Sequence, residues 1–198
     1  MGVAVHPWPG PLPAWGSEPL VISVLTPGGE RGAARGRIRA AVCDVLAQLL
    51  QRGVELQTSP GKRPLLLVEG VAAPIGLSIS HAGELSVAAL NPGGPVGVDL
   101  MEVQEVPDWA RVAHDYLGMA AACRLAAMAD AERPRAFAQA WAEREAQLKL
   151  AGEPLTEWSP SSVDARVIPL ELPAGFAGAL STLADHPSLG SGPTFGHF

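Results

Sequence analysis

Cysteine, charge and long hydrophobic runs are all scarce in this sequence. Of its 198 residues only Cys43 and Cys123 are cysteines, and they lack the paired spacing of a zinc site. Two isolated cysteines fit a reducing compartment better than a disulfide framework. No hydrophobic run approaches the length needed to cross a bilayer, and no basic-then-apolar leader pattern opens the sequence. We therefore expect a cytoplasmic protein without a membrane partner.

The composition and the net charge argue against a disordered chain and against a nucleic-acid-binding protein. Charged residues make up 17% of the sequence and hydrophobic residues 47%, which is typical of a globular protein rather than a disordered chain. The formal net charge is −6, whereas nucleic-acid-binding proteins usually carry a basic stripe. We expect no nucleic-acid partner, and we expect a monomer. The length allows a substantial core, in one domain or in two small lobes.

Composition divides the chain into four parts. Residues 1–19 are rich in proline, glycine and tryptophan, which excludes a helix and predicts an extended N-terminal arm pinned by its tryptophans. Residues 20–100 and 101–185 each combine strand-forming and helix-forming segments. They predict an N-terminal and a C-terminal lobe with a boundary near Leu100. Residues 186–198 are rich in glycine, serine and proline and predict a flexible tail.

Hydrophobic periodicity predicts the elements of the two lobes. A β-branched strand over Pro19–Thr26 precedes an amphipathic helix over Arg31–Gln51. The region Val106–Leu150 is helical, and Gly152 and Pro154 end its last helix. Further strands are predicted at Leu65–Val68, Leu77–Ile79, Leu85–Leu90, Val96–Leu100, Asp164–Leu172 and Phe176–Leu183. This order predicts an α/β (α+β) fold in which each lobe packs a helix against a small sheet, although no sequence repeat relates the lobes.

The segment from Trp141 to Lys149, WAEREAQLK, carries the strongest local signal. On a helix, Glu145 and Lys149 are four residues apart and share one face. Phe137, Trp141 and Leu148 are then expected to pack inward, with the charged pair at the rim. The alternative is a stabilising pair on a solvated surface, which has no function of its own.

Three weaker features precede this segment. Asp99 ends the apolar run GPVGVDL, where a carboxylate is well placed to hold a cation; the alternative is a turn aspartate that caps a loop. Ser80 and His81 lie in what we expect to be a polar turn, and a lone histidine there is more often a satisfied turn residue. Lys62 and Arg63 are adjacent cations in a turn, which usually means solvated surface.

Taken in order, these features resemble the signature of the Sfp-type 4′-phosphopantetheinyl transferases. That family has a GKP-like turn, an SH-containing segment, a G-[IV]-D strand end and a W-x-x-K-E-[AS]-x-x-K helix. The matching positions here are Gly61–Pro64, Ser80–His81, Gly97–Asp99 and Trp141–Lys149. The helix around Ile38–Leu46 also looks like the arginine-bearing helix of the family. The resemblance covers roughly residues 31–158, and its last motif together with the G-V-D segment is specific.

The resemblance implies a fold, a reaction and a set of site residues. The fold would be the phosphopantetheinyl transferase fold with two pseudo-symmetric lobes. The reaction would move 4′-phosphopantetheine from coenzyme A to a serine of an apo acyl or peptidyl carrier protein, in fatty-acid, polyketide or nonribosomal-peptide synthesis. By the same resemblance, Mg²⁺ would be held by Asp99 and Glu145, catalysis would involve Glu145 and Lys149, and coenzyme A would contact Arg39, Lys62, Ser80, His81, Arg144 and Lys149.

The sequence also departs from the family pattern. Met101 occupies the place of a frequent second acid, with Glu102 one residue late, and Arg144 replaces the usual lysine, which changes the hydrogen-bonding geometry. Arg63 is inserted in the GKP-like turn, and Ser78 replaces an asparagine. Met101 keeps open the alternative of a degenerate member that binds coenzyme A or a carrier protein without turnover. A second alternative is an unrelated α/β binding module.

Overall fold

The computed structural model describes residues 2–59 and 64–184. Seven strands of these ranges form one sheet: β1 (Val3–Pro7), β2 (Leu20–Leu25), β6 (Gly76–Ala82), β7 (Leu85–Asn91), β8 (Val96–Glu102), β9 (Ala165–Glu171) and β10 (Phe176–Leu183). Their order is β6-β7-β2-β1-β9-β10-β8, and the sheet curls until its edge strands β6 and β8 lie side by side. A second, three-stranded sheet contains β3 (Val54–Gln57), β4 (Leu65–Val68) and β5 (Val71–Ala72).

The same connectivity occurs twice in the larger sheet. In one unit, β2 is followed by helix α1 (Arg31–Leu50) and then by β6 and β7; in the other, β8 is followed by helix α4 (Arg133–Ala151) and then by β9 and β10. Each unit pairs its first strand with its last, antiparallel, and its last strand with the one before. The predicted boundary near Leu100 falls inside β8. Mixed α and β structure is therefore confirmed, whereas the division into two lobes stays a prediction.

The two units meet along two seams. At the first seam, β1 inserts between them and pairs in parallel with both β2 and β9. At the second seam, β6 and β8 are neighbours without a shared backbone ladder in the described residues. There the Ser78 hydroxyl accepts a hydrogen bond from the Val98 amide at 3.0 Å. At the β6–β8 seam a side-chain hydrogen bond therefore links the two units, whereas at the first seam the backbone of β1 links them.

Hydrophobic side chains fill both faces of the curled sheet. On one outer face, Ile38, Val42 and Leu46 of α1 are fully buried against β2 and β7, as the amphipathic pattern predicts. Trp8 and Trp15 of the predicted N-terminal arm pack against this cluster. The inner face is filled from both units: Val21, Val87, Val98, Leu170 and Leu180 form one cluster.

Three short helical segments lie between β8 and α4. They are α2 (Trp109–Val112), a π-helical turn (Ala113–Leu117) and α3 (Met119–Ala126). Their apolar residues pack with Phe137 and Trp141 of α4, which confirms that Phe137 and Trp141 face inward. Leu148 is also buried. None of the helices in the described part of the chain combines the length and hydrophobicity that spanning a membrane requires.

Most predicted elements are present, with three strands missed and one turn wrong. The missed strands are β1, β3 and β5. The polar turn expected at Ser80 and His81 instead lies within β6, because polar residues there alternate with Leu77 and Ile79 along a continuous strand. Asp99 likewise lies within β8, so the alternative of a turn aspartate is wrong. The tail and the turn containing Lys62 fall outside the described residues.

Candidate functional site

Close packing of α4 against β8 positions the candidate site. A Cβ atom built on Gly97 would lie 1.9 Å from the Ala146 carbonyl oxygen and 2.7 Å from the Leu150 amide nitrogen. Ala142 and Ala146 are fully buried against the sheet. Small residues on both elements thus let the helix backbone rest directly on the strand. Asp99, two residues after Gly97, consequently faces α4.

Asp99 of β8 and Lys149 of α4 bond to each other and to residues of β6. The Lys149 ammonium donates to Oδ1 of Asp99 at 2.8 Å, and the Ser80 hydroxyl donates to the same oxygen at 2.7 Å. Lys149 also donates to the carbonyl oxygens of Val98 at 3.1 Å and Ile79 at 3.4 Å. The predicted site residues Ser80, Asp99 and Lys149 are therefore in one hydrogen-bonded group.

Glu145 lies one helical turn before Lys149 and is half-buried. Burial raises the pKa of its carboxyl group, and the negative charge of Asp99 raises it further. The charges of Lys149 and Arg144 act in the opposite direction and are smaller effects. A carboxyl group with a raised pKa is a better proton acceptor near neutral pH than an ordinary glutamate. The arrangement therefore suits Glu145 to general-base chemistry.

His81 extends the site towards α1. Its Nδ1 lies 2.8 Å from the Ser86 hydroxyl. Burial lowers the pKa of His81 most, and the positive charge of Arg35 lowers it next. Lys149 and then Arg39 shift the pKa of His81 in the same direction. Cations of both α1 and α4 therefore lie near this histidine.

Sequence reasoning named Arg39 but missed Arg35. Both side chains are exposed on α1 and are separated by one turn, so they share a face. The four-residue spacing was the signal that could have identified Arg35. Together with Lys149 they form a cationic surface around His81 and next to the two carboxylates, which suits a ligand with several phosphate groups.

The two carboxylates match a magnesium ion that draws its other ligands from substrate and water. Magnesium prefers hard oxygen ligands and commonly takes only one or two from the protein. Asp99 and Glu145 are close enough for the charge of one to shift the pKa of the other. Among the described residues, no group of three or more His, Cys, Asp or Glu side chains is arranged to hold a metal. A metal here would thus depend on these two residues and on a phosphate-bearing ligand.

The neighbours of Asp99 on β8 supply no third carboxylate. Met101 shares the face of Asp99 and packs against the cluster around Phe137. Glu102 faces the other side of the strand, where its carboxylate approaches Gly83. Glu102 therefore does not replace the acid that the family often has at the position of Met101.

Arg144 is not grouped with the other predicted site residues. Ala140, Glu143, Arg144 and Gln147 line a cavity of about 280 Å³ on another face of α4, together with Trp158. The cavity lining includes neither Glu145 nor Lys149. Successive residues of a helix point about 100° apart, which separates Arg144 from the carboxylate that follows it. Its predicted contact with coenzyme A stays a prediction.

No protein-family model matches the chain, and no curated protein matches it. The geometry of the β6–β8 seam and the sequence motifs within it are thus the basis for a functional proposal.

Proposed function

We propose that the protein is a 4′-phosphopantetheinyl transferase that moves 4′-phosphopantetheine from coenzyme A to a serine of an apo acyl or peptidyl carrier protein. The observation that carries this proposal is the convergence of Asp99, Glu145 and Lys149 at the β6–β8 seam, beside the cations around His81. Paired carboxylates next to a cationic surface suit a substrate with a pyrophosphate and a further phosphate. Coenzyme A has both.

The residues of this chain have distinct roles in the proposed transfer. Glu145 accepts the proton of the carrier serine, whose oxygen then attacks the β-phosphorus of coenzyme A. The bond from that phosphorus to the bridging oxygen breaks, and adenosine 3′,5′-bisphosphate leaves with the bond electrons. Lys149 offsets the negative charge that grows on the phosphate oxygens. Arg39, His81 and Lys62 hold the nucleotide phosphates, although Lys62 is not among the described residues. Ser80 orients Asp99.

Magnesium fits the carboxylate pair of this proposal. Asp99 and Glu145 would hold it, and when bound it supplies charge neutralisation of the phosphate oxygens. The ion pair between Lys149 and Asp99 would then be part of a network of charges that also includes Glu145, the metal and the phosphate oxygens.

The repeated connectivity supports the finer description of the fold. Two units with the same strand–helix–strand–strand order and the same pairing, joined through β1, are what a two-lobed, pseudo-symmetric phosphopantetheinyl transferase fold requires. The candidate site then lies between the lobes, at the seam without an inserted strand. We further propose that the protein acts as a cytoplasmic monomer.

The decisive experiment is mass spectrometry of a panel of apo carrier proteins incubated with the protein, coenzyme A and magnesium. The expected result is a mass gain of one phosphopantetheine on at least one carrier, and none on the same carrier after its acceptor serine is replaced by alanine. No gain on any fatty-acid, polyketide or nonribosomal-peptide carrier would contradict the proposal.

One observation favours a second candidate, a relative that binds coenzyme A or a carrier without turnover. Oδ1 of Asp99 is already bonded to Lys149 and Ser80, and Met101 offers no further acid. Calorimetry separates the two candidates. Saturable binding of coenzyme A with no transfer to any carrier in the panel would favour the binding protein.

A further inference from the structure

Two charged side chains are buried within the described residues, and only one of them has a partner. Asp99 is bonded to Lys149, as described above. Arg144 is 6% exposed, yet within the described residues it has neither a hydrogen bond nor an ion pair. Its Nε is enclosed by the protein and lacks an acceptor. Removing part of a charged group from water without an acceptor is costly, and the enclosed Nε of Arg144 therefore indicates a partner that the described residues do not supply.

The cavity beside Arg144 has the polarity for such a partner. Hydrogen-bond donors line it: the guanidinium of Arg124, the amide of Gln147 and the hydroxyls of Ser159 and Ser161. Its volume of about 280 Å³ leaves room for an oxyanion and accompanying waters, since one water occupies about 30 Å³.

The charge of the lining also favours an anion. Two arginines, Arg124 and Arg144, face a single acid, Glu143. The carboxylate of Glu143 accepts a hydrogen bond from the Gln139 amide at 3.0 Å and forms no ion pair with Arg144. Glu143, the one acid in the cavity lining, is thus not paired with Arg144.

We propose that this cavity is a second anion-binding site, in which Arg144 binds a phosphate or carboxylate group. The site is separate from the β6–β8 seam, because α4 presents Arg144 and Gln147 to the cavity and Glu145 and Lys149 to the seam. The inference does not depend on the proposed transferase activity. It gives Arg144 a role other than contact with coenzyme A.

Calorimetric titration tests the site directly, with inorganic phosphate and acetate as separate probes at constant ionic strength in chloride. We expect saturable binding of at least one probe to the wild-type protein. A response to phosphate alone identifies a phosphate site, and a response to acetate identifies a carboxylate site. Trp158 lines the cavity, so its fluorescence should change at the same concentrations.

Arg144→Met is the central variant because it keeps an unbranched chain and removes the charge. Binding should weaken roughly tenfold or more, the usual effect of losing a charge-assisted hydrogen bond. The matched control is Arg37→Met, an exposed arginine on α1, which should bind as the wild type does. Arg39→Gln, which alters the seam, should also leave this binding unchanged.

A second variant keeps the test independent of how well Arg144→Met folds. Ser159 is exposed at the cavity, so Ser159→Asp should fold and should place a competing carboxylate near Arg144. Phosphate or acetate binding should be lost in this variant as well. The proposal is overturned if the wild-type protein binds neither probe, or if Arg144→Met and Ser159→Asp bind as the wild type does.

Discussion

The Lys149 ammonium of α4 and the Asp99 carboxylate of β8 form an ion pair beside the β6–β8 seam, with 2.8 Å between Nζ and Oδ1. Asp99 is almost enclosed, whereas about a third of the Lys149 side chain remains exposed. The pair is therefore expected to contribute to stability and to the proposed chemistry, and the two contributions can be measured separately.

Replacing Asp99 by alanine should affect both roles. Lys149 would lose its anionic partner, which should lower the free energy of unfolding by roughly 1–3 kcal/mol. Transfer to an apo carrier should be abolished, because Met101 supplies no substitute carboxylate. Chemical denaturation and single-turnover transfer measure the two effects. Asp44→Ala, an exposed change on α1, is the control. Near-normal rates for Asp99→Ala at low magnesium would remove Asp99 from the metal site.

Gly97→Ala should damage the site without changing any charged residue. The added methyl group would meet the Ala146 carbonyl oxygen at 1.9 Å, so α4 must shift away from β8. We expect a stability loss of several kcal/mol, comparable with severe overpacking, and loss of transfer. Gly36→Ala on α1 is the matched control, since nothing lies within 4 Å of its added methyl group. That change should stabilise by about 0.5–1 kcal/mol. Equal melting temperatures for the two variants would contradict the packing argument.

Glu145→Gln tests the proposed base while keeping the shape of the side chain. Transfer at saturating coenzyme A should fall at least about a hundredfold, the usual effect of losing a general base. Binding of coenzyme A should weaken only modestly. Glu143→Gln makes the same chemical change on a different face of α4 and should leave turnover intact. A folded Glu145→Gln protein with wild-type turnover would refute the mechanism.

Arg39→Ala should distinguish between coenzyme A and 3′-dephospho-coenzyme A. A charge-assisted contact to phosphate contributes roughly 1.5–3 kcal/mol, so affinity for coenzyme A should fall about tenfold to a hundredfold. Affinity for the dephosphorylated ligand should change much less. Calorimetry with both ligands, beside Arg37→Ala as control, measures the difference. Equal losses for the two ligands would exclude Arg39 from contact with the 3′-phosphate.

His81 should make stability depend on pH in a defined direction. Its pKa is lowered in the folded protein, chiefly by burial and by Arg35, so the unfolded chain takes up a proton at a higher pH. Stability from the neutral histidine is therefore fully present above the unfolded pKa of about 6.5 and is lost as the pH falls towards the folded pKa. Arg35 and Arg39 of α1, Lys149 of α4 and Ser86 of β7 surround the ring. Denaturation between pH 7.5 and 5 should show a smaller slope for His81→Gln than for the wild type; identical slopes would contradict this.

The sequence predicts most of the local structure because most of the helices and strands show a periodic pattern of apolar residues. Helix α1 shows a clear apolar stripe, and its Ile38 and Leu46 are buried as the stripe predicts. Strand β1 was missed because its proline-rich surroundings give no alternating pattern. Its pairing with β9, which connects the two ends of the described chain, has no local signature.

The candidate site was predictable from the sequence only in part. Spacing along α4 was enough to place Glu145 and Lys149 on one face, the apolar run before Asp99 indicated a cation site, and the family resemblance added His81 as a phosphate contact. Nothing local shows that Ser80 bonds to Asp99, because the two residues belong to different units of the sheet. The cavity that Arg144 shares with Trp158 and with residues that follow α4 likewise has no local signature. Such contacts arise from tertiary packing rather than from periodicity.

The position of β1 has a consequence for how this protein is made. Val3 pairs with Leu170, so β1 waits for a partner strand that is synthesised much later. Until residues 165–171 have left the ribosome, one edge of β1 is exposed, and the sheet cannot close. Long-range pairing of this kind slows folding and leaves an unpaired edge open to association. A nascent chain stalled before β9 should therefore depend on chaperones more than the finished protein does.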